Sequence, residues 1–182
     1  MKSLSFTDAT LHDLDRIMDM EARGFAAGIR EQRDVYAARI SAFPEGSLLA
    51  HSSADCIGCF FGEIWQAAPL PVAAHFALDH DILDRHDPTR GSELYIASMT
   101  IDPAFRGRGF GKSLFLGGIA HVAAAFPQLR SALLLVNENW NAAHGIYAAA
   151  GFREVVRFGD FFNPHGSTRE DGIVMRRDIQ ND

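Results

Sequence analysis

Cysteine, long apolar runs and surplus positive charge are all scarce in this chain, and each scarcity removes a class of function. The two cysteines, Cys56 and Cys59, form Cys-Ile-Gly-Cys inside an apolar stretch. That stretch opens no helix, as a redox pair does, and a zinc site would need two further ligands of suitable spacing. On a strand, a spacing of three puts the two sulfurs on opposite faces, so both are expected simply to pack. No uninterrupted apolar run nears the ~20 residues of a transmembrane helix. The start, Met1-Lys2-Ser3-Leu4-Ser5-Phe6, lacks the apolar core of a signal peptide, which makes the cytoplasm the default expectation. Lysine and arginine total 17 against 23 aspartates and glutamates, a net charge of −6. Nucleic acid and anionic membrane are therefore not the expected partners. Repeats and low-complexity tracts are also missing. What remains, 182 residues that are 47% hydrophobic and 22% charged, suits one globular domain over 1–182 with a substantial core.

Glycine is where the chain turns informative. Arg106-Gly107-Arg108-Gly109-Phe110-Gly111-Lys112-Ser113 follows an apolar run at 94–101 and opens an apolar-periodic segment at 114–126. A glycine-rich turn between strand and helix gathers backbone N–H groups at one spot, and the helix dipole adds positive potential there. Such a turn suits a phosphate. A nucleoside-triphosphatase loop would need glycine five residues before Gly111, where Arg106 stands. A dinucleotide fingerprint would need two residues between its second and third glycines, whereas Gly107, Gly109 and Gly111 recur at every second position. What is left is Arg-x-x-Gly-x-Gly after a strand ending Ile101-Asp102-Pro103.

The surrounding pattern assigns the other elements. Residues 3–7 form a candidate first strand. Thr10 and Asp13 have the spacing of a capping box and introduce a helical face of Leu11, Leu14, Ile17, Met18 and Met20. A second helix is expected over 31–43, with Val35, Tyr36, Arg39 and Ile40 at helical spacing. Strands at 47–51 and 56–65 flank a turn and read as a hairpin. Residues 66–92 are irregular, and a connection of that length suits a loop covering an acceptor. His75, His80 and His86 lie there among four aspartates, at spacings of no standard metal-ligand set, so no metal is expected. Beyond Glu93 the order is strand to 101, phosphate loop, helix 111–126, strand 131–136, helix 140–149, strand 152–158 and a last strand at 172–176. This alternation argues for an α/β fold. Gly117-Gly118 in the middle of the long helix costs stability, so close packing against a sheet or cofactor is expected there.

A second motif follows that helix. Leu133-Leu134-Leu135-Val136 leads into Asn137-Glu138-Asn139-Trp140-Asn141, then Ala142-Ala143-His144-Gly145-Ile146-Tyr147-Ala148-Ala149-Ala150-Gly151-Phe152. Together the two motifs resemble the GNAT acetyltransferase superfamily: its coenzyme A pyrophosphate loop, an asparagine after the next strand, another opening the next helix, and Tyr-x-x-x-Gly-Phe. The resemblance is close from Glu93 to about Met175. It implies a mixed central sheet of about seven strands, flanked by about four helices, whose central parallel strands splay apart.

The same resemblance implies the site. Met99, Thr100 and Ile101 would offer backbone groups to the pantetheine arm of acetyl-CoA. Arg106, Gly107, Arg108, Gly109, Gly111 and Lys112 would hold its pyrophosphate, with Asn137 and Asn141 completing the cofactor site. Tyr147 would sit near the sulfur as general acid, since a phenol of pKa near 10 is protonated at neutral pH. Glu93 aligns with the catalytic glutamate of the ribosomal-protein N-terminal acetyltransferases. Even spacing would put it on one strand face with Tyr95, Ala97, Met99 and Ile101. That family grips a peptide N-terminus with a tyrosine pair where this chain has Phe161-Phe162. The N-terminal half is similar instead to arylalkylamine N-acetyltransferases, through residues 21–25, 44–48 and 58–65, but the two histidines those enzymes carry on the central strand are replaced by Tyr95 and Ala97. Phe60, Phe61, Trp65, Phe161 and Phe162 are candidates for lining an apolar pocket. The expected reaction is direct acetyl transfer to a primary amine, a small arylalkyl or aliphatic one first and a protein N-terminus second. A non-catalytic acyl-CoA-binding module is the rival from another class, and a homodimer is left open.

Overall fold

The computed structural model of the chain describes residues 2–179. Its regular elements run β1 (Ser5–Asp8), α1 (Leu14–Gly24), α2 (Arg33–Ala42), β2 (Ser47–Ser52), β3 (Asp55–Trp65), β4 (Glu93–Ile101), α3 (Phe110–Ala125), β5 (Ser131–Asn137), α4 (Asn141–Ala149), β6 (Arg153–Phe162) and β7 (Glu170–Asp178). All seven strands join one sheet in the order β1-β2-β3-β4-β5-β7-β6. Only β4 and β5 pair in parallel, through the crossover that α3 supplies. β7 inserts antiparallel between β5 and β6, so the expected β-α-β-α-β run does not yield adjacent parallel strands at its end. Among the described residues no helix is long and apolar enough to cross a membrane.

Apolar periodicity decides which side of the sheet each helix covers. On one side, Leu114, Phe115, Ile119 and Val122 of α3 pack on Phe60, Ile64, Leu94 and Ile96. The paired glycines of α3 are what allow this approach: a Cβ on Gly118 would lie 2.6 Å from the Phe60 ring, and one on Gly117 2.7 Å from the Phe6 ring. The sheet, rather than a cofactor, offsets their helix-propensity cost. On the other side Leu14, Ile17 and Met20 of α1 and Tyr36 and Ile40 of α2 cover Leu49, Cys59 and Phe61. The turn Leu11–Asp13 that leads into α1 is fixed as its sequence suggested, Asp13 accepting both the Thr10 N–H and the Thr10 hydroxyl at 2.9 and 2.8 Å.

Register shifts on either side of β3 break the alternation on which the face assignments near the site depend. Between β2 and β3 the pairing jumps from Ala50–Gly58 to His51–Cys56, leaving Ile57 extra. Cys56 and Cys59 therefore both pack on the α1–α2 side, not on opposite faces, and both are free thiols. Between β3 and β4 the pairing jumps from Phe61–Ser98 to Gly62–Ile96, leaving Ala97 extra. Past that point the faces exchange: Met99 and Ile101 pack with Leu94 and Ile96 on the α3 side. The single face of Glu93, Tyr95, Met99 and Ile101 expected from even spacing does not exist.

Candidate active site

Strands β4 and β5 separate where the extra residue falls. Their ladder ends at the pair Ile96–Leu134, although β4 continues to Ile101 and β5 to Asn137. Backbone groups of β4 from Ala97 onward thus face a gap in which no strand completes the ladder, an edge that an extended ligand arm can pair with. A groove of about 620 Å³ runs along this gap, with Met99, Thr100, Ile101 and Arg106 on one bank and Asn139 to Ala143 on the other. At its inner end lies a chamber of about 100 Å³, which shares Phe25, Ile29, Met99 and Trp140 with the groove. The groove also contains a polar atom without a partner, the buried Thr100 hydroxyl.

The glycine loop closes the outer end. Gly107 and Gly109 hold φ values of 73° and 80°, in the left-handed region that a side chain resists. A Cβ on either would meet nothing within 4 Å, so the backbone dihedral, not crowding, demands glycine. Gly109 immediately precedes α3, whose first turn carries no acidic residue, leaving its N–H groups directed at the loop. Gly111 plays a different part: its Cβ would stand 3.0 Å from Ile146, so it seats α3 against α4. Arg106 donates from Nε to the Ile101 carbonyl at 3.1 Å, and the Arg108 guanidinium lies 5.2 Å over the Phe105 ring. Lys112 is exposed beside them. Asp102 pins the loop to α1, accepting Arg23 at 2.9 and 2.8 Å.

Two residues assigned from the sequence stand elsewhere. Asn137 is fully buried, its Nδ2 donating to Glu170 and its Oδ1 accepting the Asn139 N–H at 2.8 Å. It shapes the β5–α4 turn and does not line the groove, whereas Asn141, at the start of α4, does. Glu93 is buried at the start of β4, where its carboxylate accepts the Ser131 hydroxyl at 2.8 Å and Arg176 Nε at 2.7 Å. It does not line the chamber, because β4 and β5 are still paired there. There the carboxylate holds a cation and a hydroxyl in the interior, the arrangement of a structural ion pair, and it stands apart from the chamber that Tyr147 lines.

Tyr147 does line the chamber. Its ring packs 4.6 Å from Phe115, and burial pushes its hydroxyl up to about 12. Of the five aromatic candidates for a pocket wall, Phe162 contributes; Phe60 and Phe61 are core, and Trp65 stacks 4.0 Å from Tyr95. Phe76 from the long loop, Phe25, Tyr95 of β4 and Trp140 supply the rest of the aromatic wall beside Tyr147.

The charged groups of the chamber, Glu21 and Glu31, are the ones sequence reasoning missed. Glu21 is buried on α1, accepting the Tyr36 hydroxyl at 2.8 Å and the Glu31 N–H at 2.9 Å. A signal existed: Glu21 stands four residues after Ile17 and seven after Leu14, on the apolar stripe where a carboxylate needs a reason. Behind it, buried Arg39 bonds Glu31 at 3.1 Å and Glu63 at 3.2 Å, and Glu63 accepts His80 at 2.9 Å and the Trp65 Nε1–H at 2.8 Å. His80 thus spends its ring on this network, and among the described residues no group of histidine, cysteine and carboxylate could hold a metal ion.

Comparison with known proteins agrees with this geometry. The family model described as acetyltransferase (GNAT) family matches residues 14–152. The uncharacterized N-acetyltransferase YkwB of Bacillus subtilis (strain 168) is 27% identical over 119 residues, which cover 62% of this chain and 52% of YkwB. The chain therefore spans about half the length of that relative. Among solved structures, the GNAT-like decarboxylase GphF in complex with isobutyryl-CoA matches with a TM-score of 0.77 at 17% identity, over 97% of this chain and 100% of that one. The ribosomal-protein-S18-alanine N-acetyltransferase from Escherichia coli matches with a TM-score of 0.70 at 16% identity, over 99% and 96% of the two chains. At such identities the likeness is one of fold: a mixed seven-stranded sheet with four helices, as expected.

Proposed function

Because the chain belongs to the acetyltransferase (GNAT) family, we propose that it moves an acetyl group from acetyl-CoA to a small arylalkyl or aliphatic primary amine by direct attack. The observation that carries this reading is the continuity of groove and chamber along the gap between β4 and β5. The N–H groups around Gly107 to Gly111 would hold the pyrophosphate. The unpaired edge of β4 would take the pantetheine arm as an added strand, with the free Thr100 hydroxyl available to one of its amides. Acetyl-CoA would supply the thioester carbon at the chamber mouth. The amine nitrogen forms a bond to that carbon, the carbon–sulfur bond breaks, and Tyr147 passes its hydroxyl proton to the departing sulfur. Its raised affinity for that proton keeps the phenol charged with it at neutral pH.

The size of the chamber, about 100 Å³, supports a small acceptor. A peptide N-terminus is the second reading, in keeping with the fold shared with the S18-alanine enzyme. The phenylalanines at 161 and 162 lack the hydroxyls a peptide grip would use. Purified protein incubated with acetyl-CoA and a panel of amines and short peptides, with free thiol followed, tests the proposal. Release driven by small amines supports it, and release driven by peptides alone replaces it with the second reading.

A further inference from the structure

The carboxylates near the chamber are not equivalent. Glu31 and Glu63 each bond Arg39, and Glu63 also meets His80. Glu21 alone has only neutral donors, the Tyr36 hydroxyl and the Glu31 N–H. Among the described residues no lysine, arginine or histidine forms an ion pair with it. It is 3% exposed and lines a chamber whose wall, apart from Glu31 and Ser98, is aromatic and aliphatic. A buried carboxylate without a counter-ion is costly, and a ligand that brings one is bound for that reason.

We propose that Glu21 receives the acceptor as an ammonium ion and is the base that removes its proton. The inference rests on the acetyl-transfer reading and deepens it: the substrate class becomes cationic amines with an apolar or aromatic body. In the step, one ammonium proton passes to the Glu21 carboxylate, and the neutral nitrogen bonds to the thioester carbon. As the carbon–sulfur bond breaks, Tyr147 protonates the sulfur and is reprotonated by the second proton leaving the nitrogen. The proton on Glu21 is released to solvent with the products, so amide, free thiol and one proton account for all atoms. The groups facing Glu21 are Tyr36 and Arg39 of α2, Glu31 of the α1–α2 connection and Cys59 of β3. Burial above all, with a smaller push from Glu31, raises the Glu21 carboxyl from its ordinary value, the direction a base for an ammonium requires.

Glu21→Gln keeps the size of the side chain and its acceptor oxygen. The expected result is unchanged acetyl-CoA affinity by calorimetry, with kcat/KM for the amine at neutral pH lowered at least about 100-fold. The variant's rate should then climb with pH as solvent supplies more neutral amine. A variant within about threefold of the parent at neutral pH overturns the proposal. The unaltered protein offers an independent check should the variant fail to fold. An alkyltrimethylammonium ion should inhibit at least about tenfold more tightly than its uncharged carbon isostere, a gap of about 1.4 kcal/mol. Equal inhibition by the two overturns the assignment. Failure of the parent protein to bind acetyl-CoA at all would instead remove the underlying acetyl-transfer reading.

Discussion

Tyr147 and Glu93 were assigned to one mechanism from the sequence, yet their surroundings give them opposite duties. Tyr147 packs on the rings of Phe115 and Phe152 and lines the chamber, and among the described residues its hydroxyl has no hydrogen-bond partner, so it is free to donate. Tyr147→Phe should lower kcat by about 100-fold, as expected for loss of a general acid, while calorimetry finds acetyl-CoA affinity unchanged. A kcat within a few-fold of the parent would assign the sulfur's proton to another donor. Glu93 is a side chain that needs its neighbours. Arg176→Ala should cost about 3 kcal/mol, because it strands a buried carboxylate, and adding Glu93→Gln should recover much of that loss. Urea midpoints of the parent and the two variants measure both effects; equal midpoints for the two variants would mean that a stranded carboxylate is not the source of the loss.

At the scale of elements, the glycine bend and the two face-switching residues show what a sequence displays and what it conceals. Gly107 and Gly109 are legible because a positive φ restricts the choice of residue. Replacing both with alanine should cost about 1 kcal/mol per position in restoring the bend, which raises the Kd for coenzyme A roughly 30-fold with little change in melting temperature. Titration calorimetry reads this directly, and an unaltered Kd would mean that the phosphates sit elsewhere. The seven strands and four helices were legible for a similar reason, since apolar periodicity and turn residues mark them within a few positions. Ala97 and Ile57 were not legible. An extra residue within a strand needs no special side chain, so nothing in Leu-Tyr-Ile-Ala-Ser-Met-Thr reports that the pleat loses its phase. Glu93 and Met99 were placed together for want of that information. Asn137 shows a different limit, because an amide that knits a turn carries the same letter as one that meets a ligand.

The whole molecule is joined across its layers by the charges around Arg39, which link α2, β3 and the long loop. Burial drives the His80 ring downward, but its hydrogen bond and attraction to Glu63 prevail and hold it above its ordinary 6.5. Burial pushes Glu63 upward, while His80 and Arg39 outweigh that and keep it below 4.5. Stabilisation from His80 is therefore complete below pH 6.5 and lost as pH rises through its folded value. That from Glu63 is complete above pH 4.5 and lost as pH falls through its own. Between those limits both act in full. Thermal melts of the parent and His80→Gln should differ most near pH 5.5 and converge at alkaline pH; a gap constant with pH would refute the coupling. The loop that carries His80 also brings Phe76 to the chamber, so the same contacts that stabilise the molecule set the size of its acceptor space. Ala97 has a wider consequence. Because one surplus residue inverts the outer half of β4, a homologue lacking it would keep the equivalents of 99 and 101 towards α3, but each would stand one position nearer the equivalent of Glu93. Alignments of relatives that slide a gap by one position along this strand would then exchange wall for foundation, and ligand-contacting positions should be transferred between them only after the count of residues from Glu93 to Asp102 has been matched.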